Sequence, residues 1–138
     1  MRILALDVGD RRIGVALSDP TGIIASPLTT LRREAERKDQ EAIARLIEEH
    51  GAELVVVGLP LTLAGERGPQ AERVVRFGDR LADALGVRVV YWDERHSTVD
   101  AERIVRSRAR RRQAVRGAVD DVAAAVILQS YLDSLAHQ

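Results

Sequence analysis

Cysteine is absent from the 138 residues, which excludes disulfide bonds, thiolate chemistry and zinc sites built from cysteine. No apolar run approaches the ~20 residues of a membrane-spanning helix, and the N-terminus lacks the features of a signal peptide. We therefore expect a cytoplasmic protein without membrane contact. With 46% hydrophobic and 30% charged residues, the composition is that of one globular domain over residues 1–138.

Lysine is almost absent as well. Lys38 is the only lysine, so the basic residues are nearly all arginine. The formal net charge is zero, but seven arginines and no acid lie between residues 103 and 116. Like charges at this density repel one another unless a polyanion lies beside them. A solvated helix face or a mobile loop is the alternative interpretation, and both remain open at this point.

The N-terminal stretch combines buried-strand character with a carboxylate. Residues 3–6 are apolar, Asp7 and Gly9 follow, and a second apolar run begins at Ile13. This pattern predicts a hairpin whose first strand carries Asp7 into the middle of a sheet. Burying an unpaired carboxylate costs several kcal/mol, so Asp7 is expected to have a metal ion or a cation as its partner. A solvated turn aspartate is the alternative.

The remaining pattern predicts one α/β domain. After the hairpin, a third strand with a proline is followed by helix, strand, helix, strand and two helices. We expect a mixed five-stranded sheet, a three-strand meander plus two parallel strands, with helices on both faces. The predicted strands are 23–31, 54–57 and 87–92, and the predicted helices are 39–50, 71–85, 99–106 and 119–135. The arginine run after residue 106 is left as a connection of uncertain structure.

Three carboxylates are predicted to converge at one edge of this sheet. The first and last strands would end close together, bringing Asp7 near Glu94, and Asp120 or Asp121 opens the last helix. Hard divalent cations take such oxygen ligands. Two of them, about 3.5–4 Å apart, can activate a water and stabilise the leaving oxygen of a phosphodiester. Because the arginine cluster leads into the last helix, this combination indicates a nuclease.

Four sequence blocks occur in a characteristic order. They are ALDVGDRRIGVALSD near the start, VVVGLPLTLAGERGPQA in the middle, DERHST at 93–98 and VDDVAAAVILQSYL at 119–132. Together they resemble the YqgF/RuvX family of Holliday-junction resolvases and pre-16S rRNA nucleases, which have a ribonuclease H-like fold and are related to the RuvC resolvases. The resemblance extends from about Ile3 to Leu135. His96 is a departure, since a leucine is common at that position.

The resemblance implies the chemistry of the site. It assigns Asp7, Glu94 and Asp120 as catalytic acids that bind Mg²⁺ or Mn²⁺, with two metal ions expected. Helical periodicity by itself does not choose between Asp120 and Asp121, and the family position favours Asp120. The implied substrates are four-way junction DNA and structured RNA such as precursor 16S ribosomal RNA.

Backbone phosphates are the expected contacts of the arginines, because 3% aromatic residues leave little to stack on bases. Arg95 has pairing with a neighbouring acid as an equal alternative, and His96 is a weaker candidate for protonating a leaving group. Ser97 or Thr98 is expected to cap a helix. The predicted nucleic-acid contacts are Arg11, Arg12, Arg95, Arg106, Arg108, Arg110, Arg111, Arg112 and Arg116.

Three functions are compatible with this pattern. The leading hypothesis is a metal-dependent endonuclease, and resolving a four-way junction would require a homodimer, because two symmetric cuts are needed. A non-catalytic nucleic-acid-binding factor in ribosomal RNA maturation or transcription is the alternative. A phosphotransferase of the actin and sugar-kinase type also begins with Asp-x-Gly and a hairpin, but it needs a second half that 138 residues cannot hold.

Overall fold

The computed structural model describes residues 1–116 and 122–137. Three strands come first in this part of the chain, followed by helix, strand, helix and strand, then a 3₁₀ turn at Glu94–His96 and two helices. The strands are β1 (Arg2–Val8), β2 (Arg12–Ser18), β3 (Ala25–Arg32), β4 (Ala52–Leu59) and β5 (Val89–Asp93). The helices are α1 (Glu36–His50), α2 (Pro69–Leu85), α3 (Val99–Arg116) and α4 (Ala123–Ala136).

The strands form one mixed sheet in the order β3-β2-β1-β4-β5. The pairs β1–β2 and β2–β3 are antiparallel, whereas β1–β4 and β4–β5 are parallel. This arrangement confirms the predicted meander with two added parallel strands. It also places the C-terminal ends of β1, β4 and β5 side by side at one edge of the sheet.

Alternation along β1 separates two apolar layers. Ile3 and Ala5 pack with α3 and α4 on one face of the sheet, which we call the α4 face. Leu4, Leu6 and Val8 pack with α1 and α2 on the opposite α1–α2 face. The helices therefore cover both faces of the sheet, as predicted. None of the described helices is long and apolar enough to cross a membrane.

Helix α3 is the largest difference from the predicted elements. The helix was predicted to end near residue 106, but it continues through the arginine run to Arg116. Arginine is a good helix former, and pairs one turn apart, such as Arg106 with Glu102 at 2.9 Å, offset part of the repulsion. Val105 is buried against the sheet and fixes the helix to the core.

Helix α4 begins at Ala123 in the structure, with Val122 as its N-cap residue. The predicted start at residue 119, together with Asp120 and Asp121, lies outside the described residues. Most of the helix is buried, from Ala124 to Ser130, because it crosses the middle of the sheet. The described start of α4 lies near the turn after β5, since Ala123 and Glu94 line the same cavity.

Candidate active site

Asp7 lies on β1 between two glycines of the neighbouring strands. It pairs with Gly14 on β2, and the parallel register that joins Leu6 to Val57 places Gly58 of β4 at the level of Asp7. Strand alternation puts the half-buried Asp7 side chain on the α4 face. Because neither neighbour carries a side chain, the sheet leaves space around this carboxylate.

Glu94 follows directly after β5 and begins the 3₁₀ turn. Its side chain lies over Gly58. A Cβ atom at Gly58 would be 2.9 Å from the Glu94 Oε1 atom and 2.6 Å from the Ile127 Cδ1 atom of α4. Glycine at this position therefore lets Glu94 cross β4 toward Asp7.

The two carboxylates influence each other electrostatically. Burial raises the pKa of Glu94, and the negative charges of Asp7 and Asp93 raise it further. Asp7 also interacts with another group in the folded chain. Two half-buried carboxylates, of which Glu94 has its ionisation disfavoured by the charge of Asp7, are oxygen donors suited to a hard divalent cation.

The third predicted acid cannot be placed in this geometry. Asp120 and its neighbour Asp121 fall in 117–121, outside the described residues. Within residues 1–116 and 122–137, no three histidine or acidic side chains gather in a way that could hold a metal ion. The described part of the site is thus the pair Asp7 and Glu94.

A cavity lies next to Glu94 between α3 and α4. It is lined by Glu94, Ser97, Glu102 and Arg106 together with apolar residues of α4, including Ile127. The Arg106 Nε atom donates to the Glu102 carboxylate over 2.9 Å. A cationic side chain from the arginine-rich helix therefore shares a cavity with Glu94, and such a side chain can contact the phosphate backbone of a nucleic acid.

A family model described as a Holliday junction resolvase, RuvX, matches residues 1–134. The chain belongs to the RuvX family. A protein of Chloroflexus aurantiacus is 51% identical over 132 residues, which cover 96% of this chain and 86% of that protein. A protein of Caldanaerobacter subterraneus subsp. tengcongensis is 46% identical over 139 residues, which cover 97% of both chains. Both carry the name "Putative pre-16S rRNA nuclease".

Among solved structures, Thermus thermophilus RuvC in complex with a Holliday junction substrate is similar to this chain. The alignment covers 99% of this chain and 96% of RuvC, with a TM-score of 0.61 and 13% sequence identity. At this identity the likeness shows the fold alone. It confirms the ribonuclease H-like fold that the resemblance implied, and the family model confirms the RuvX assignment itself.

Arg95 and Arg108, two of the predicted phosphate contacts of this RuvX-family chain, have partners within the protein, as Arg106 does in Glu102. Arg95 binds Asp93 with an Nη2–Oδ2 distance of 2.7 Å, and this hydrogen bond lowers the pKa of Asp93. Arg108 donates to the backbone oxygen of Ala25 and to Gln129, each over 3.3 Å. Both arginines therefore stabilise the fold in this structure. Arg95 follows the alternative that the sequence left open.

The other predicted contacts lie on the surface where the structure describes them. Exposed side chains occur at the β1–β2 turn and along α3, where Arg110 also donates to the backbone oxygen of Arg106 over 3.4 Å. The side chains at positions 112 and 116 lie outside the described residues. The exposed set is Arg11, Arg12, Arg106, Arg110 and Arg111.

His96 and the neighbouring hydroxyl residues have structural contacts. The His96 ring lies 4.8 Å from the Trp92 ring, and its backbone oxygen accepts a hydrogen bond from Ser130. The Thr98 Oγ1 atom accepts from the backbone N–H of Ala101 over 3.0 Å, which confirms the predicted helix cap. His96 therefore packs on the side of Trp92, and a catalytic role for it stays a prediction.

Gly14 and Gly58 are the site residues that the sequence interpretation missed. A glycine inside each strand that flanks an acid-bearing strand signals a close approach of other groups. Using this signal requires the strand register, which the sequence does not contain. For the RuvX-family chain, the register shows that these two glycines adjoin Asp7.

Proposed function

We propose that this chain is a divalent-metal-dependent endonuclease that hydrolyses phosphodiester bonds in structured nucleic acid. The observation that carries the proposal is the approach of Glu94 to Asp7 across Gly58. Two acids thus share a half-buried position, and the turn that carries Glu94 is followed by the arginine-rich helix α3. Membership of a resolvase family gives independent support.

Asp7, Glu94 and Asp120 would hold Mg²⁺ or Mn²⁺. When bound, such ions activate water and neutralise charge on the phosphate that is attacked, and a pair of ions is the arrangement that suits three carboxylates. The protein's own contribution is to hold the carboxylates in place: β1 fixes Asp7, and the turn after β5 fixes Glu94. Arg106 would orient the scissile phosphate from the neighbouring cavity.

Precursor 16S ribosomal RNA is the substrate that we place first. The curated relatives at 46–51% identity carry a name that refers to this RNA, whereas the RuvC structure solved with a Holliday junction shares 13% identity. Such an RNA is an intracellular substrate, in agreement with the cytoplasmic location expected from the sequence. Four-way junction DNA is the second substrate, and its symmetric resolution would require a homodimer.

The test is cleavage of a labelled precursor-type RNA and a labelled four-way junction, each with Mg²⁺, with Mn²⁺ or with a chelator. We expect metal-dependent cuts that disappear in Asp7→Asn and persist in Asp83→Asn, which removes an exposed carboxylate from α2. Paired symmetric cuts in the junction would indicate a dimeric resolvase. Cuts in RNA alone would indicate RNA processing.

A second measurement separates metal binding from cleavage. Mn²⁺ at 100 times its dissociation constant should stabilise the folded protein by about 2.7 kcal/mol, and Glu94→Gln should lose most of this effect. Nucleic-acid binding without metal-dependent cleavage of either substrate would contradict the endonuclease proposal. It would favour the non-catalytic binding factor in ribosomal RNA maturation or transcription.

A further inference from the structure

A basic pocket lies on the face of the sheet opposite to Asp7 and Glu94. It has a volume of about 250 Å³ and is bounded by Val8–Asp10, by the start of α1 and by the first three turns of α2. Val8 and Phe77 in its wall belong to the apolar layer of the α1–α2 face. Four arginines line it, namely Arg33, Arg73, Arg76 and Arg80. None of them belongs to the arginine-rich segment between residues 103 and 116.

Arg33 forms a rigid wall of this pocket. Its Nε atom donates to Asp39 over 3.2 Å, and its Nη1 atom donates to the backbone oxygen of Gly9 over 2.9 Å. The guanidinium carbon lies 5.0 Å from the centre of the Phe77 ring. The Asp39 side chain is 3% exposed, so the carboxylate of this ion pair is buried. Since a guanidinium group has five N–H donors, Arg33 retains donors in a fixed orientation.

The excess positive charge of the pocket comes from α2. Arg80 is paired with Glu36 at 3.4 Å, whereas Arg73 and Arg76 have no ion-pair partner within residues 1–116 and 122–137. Both side chains are exposed and lie one turn apart on the same side of the helix. Two carboxylates, Asp10 and Glu36, oppose the four arginines of the lining, and Glu36 is paired with Arg80. Two neighbouring guanidinium groups that form no ion pair are an incomplete arrangement that an anion would complete.

The backbone at the pocket also favours an anion. Helix α2 begins at Pro69, and its N-cap residue Gly68 makes no side-chain cap. Gln70, in the first turn, lines the pocket. The positive end of the α2 dipole therefore adds to the field of Arg73 and Arg76.

We propose that this pocket binds a backbone phosphate of the nucleic acid at a distance from the cleaved bond. The inference rests on the proposed function for the identity of the polyanion. Gly9 lines the pocket and follows Asp7 by two residues, about 7 Å of extended chain. The pocket and the acids thus lie at the same end of β1 on opposite faces. A nucleic acid that crosses this edge of the sheet would contact both.

The experiment compares the salt dependence of nucleic-acid binding in two matched double variants. Arg73→Gln/Arg76→Gln removes the unpaired charges of the pocket, while Arg45→Gln/Arg88→Gln removes two exposed arginines that do not line it. Binding of the precursor-type RNA and of the four-way junction is measured with chelator, so that no cleavage occurs. Thermal unfolding of each variant checks that the fold is retained.

The pocket variant is expected to lose about one phosphate contact. The slope of log K against log salt should become less steep by about 0.7 to 0.9, which corresponds to a loss of affinity of about five- to eightfold near 0.1 M salt. The surface variant should keep the natural slope more closely.

Each result has a defined meaning. Equal slopes and equal affinities in the two double variants would overturn the proposal. The proposal would also be overturned if inorganic phosphate stabilised the natural protein but not the pocket variant while both bound nucleic acid equally well. This result would indicate a small-anion site. If the natural protein binds but never cleaves, and the pocket variant still shows the smaller slope, the endonuclease proposal fails and the phosphate pocket stands.

Discussion

Replacing Gly58 by alanine tests the feature on which the candidate active site depends. Gly58 lies within β4 and does not have a positive φ angle, so alanine fits its backbone conformation. The obstacle is space, because the new Cβ atom would lie 2.6 Å from Ile127 Cδ1 and 2.9 Å from Glu94 Oε1. An ordinary contact begins at 3.4 Å. Ile127 would have to withdraw by about 0.8 Å and the Glu94 carboxylate by about 0.5 Å.

These displacements predict two effects of different size. Overpacking of a buried site costs about 1–3 kcal/mol, which in a domain of this size lowers the melting temperature by about 3–10 °C. Misplacing a catalytic group by ~1 Å can cost ~100-fold in rate. We therefore expect Gly58→Ala to remain folded at 25 °C and to lose about 10- to 100-fold of its metal-dependent cleavage rate.

A second substitution separates the two effects. Ile127→Val in the Gly58→Ala background removes the Cδ1 atom but leaves the contact with Glu94 unchanged. The double variant should recover stability in thermal unfolding and should remain defective in cleavage of the labelled RNA. Full activity in Gly58→Ala, or recovery of both properties in the double variant, would refute the position of Glu94 over Gly58.

Two further predictions concern the scaffold. Asp39→Asn breaks the ion pair with Arg33 and leaves this cation without its partner, so chemical denaturation should show a loss of about 2–3 kcal/mol; an unchanged midpoint would contradict this. Asp19 accepts hydrogen bonds from the backbone N–H groups of Thr21, Ile23 and Ile24, which lower its pKa. Its stabilisation is therefore present above the ordinary pKa of about 4 and lost as the pH falls through the lower folded value. The stability difference between the natural protein and Asp19→Asn should be constant from pH 7 to 5 and shrink progressively below pH 4, whereas a difference that stays unchanged between pH 5 and pH 2 would refute the assignment.

The predicted fold depended on patterns that act over a few residues. Continuous apolar runs identified β1 and β4, because a strand covered on both faces needs apolar side chains on both faces. Helical spacing of apolar residues located α1 and α2 to within three residues at their starts. The structure of the arginine run was harder to predict, since charge alone does not distinguish a loop from a helix. Its helical structure depends on Val105, which is buried against the sheet.

The site combines local and tertiary information. That Asp7 on β1 and Glu94 after β5 lie at the same edge of the sheet, on either side of β4, follows from sequence order and the predicted topology, and family resemblance adds Asp120. That Glu94 crosses Gly58 depends on the register of β4 against β5, and a shift of one residue would reverse every side chain of a strand.

The sequence by itself determined the element types, their order and the two described acids, because local residue spacing or a short motif is enough to predict each of these features. Only the tertiary structure decided which charges meet. It pairs Arg80 with Glu36 and Arg108 with Gln129, and it gathers Arg33, Arg73 and Arg76 from two distant segments into one pocket. The physical reason is that a long cationic side chain binds whichever carboxylate or carbonyl oxygen the packed elements bring within about 3 Å, and sequence separation carries no information on that distance.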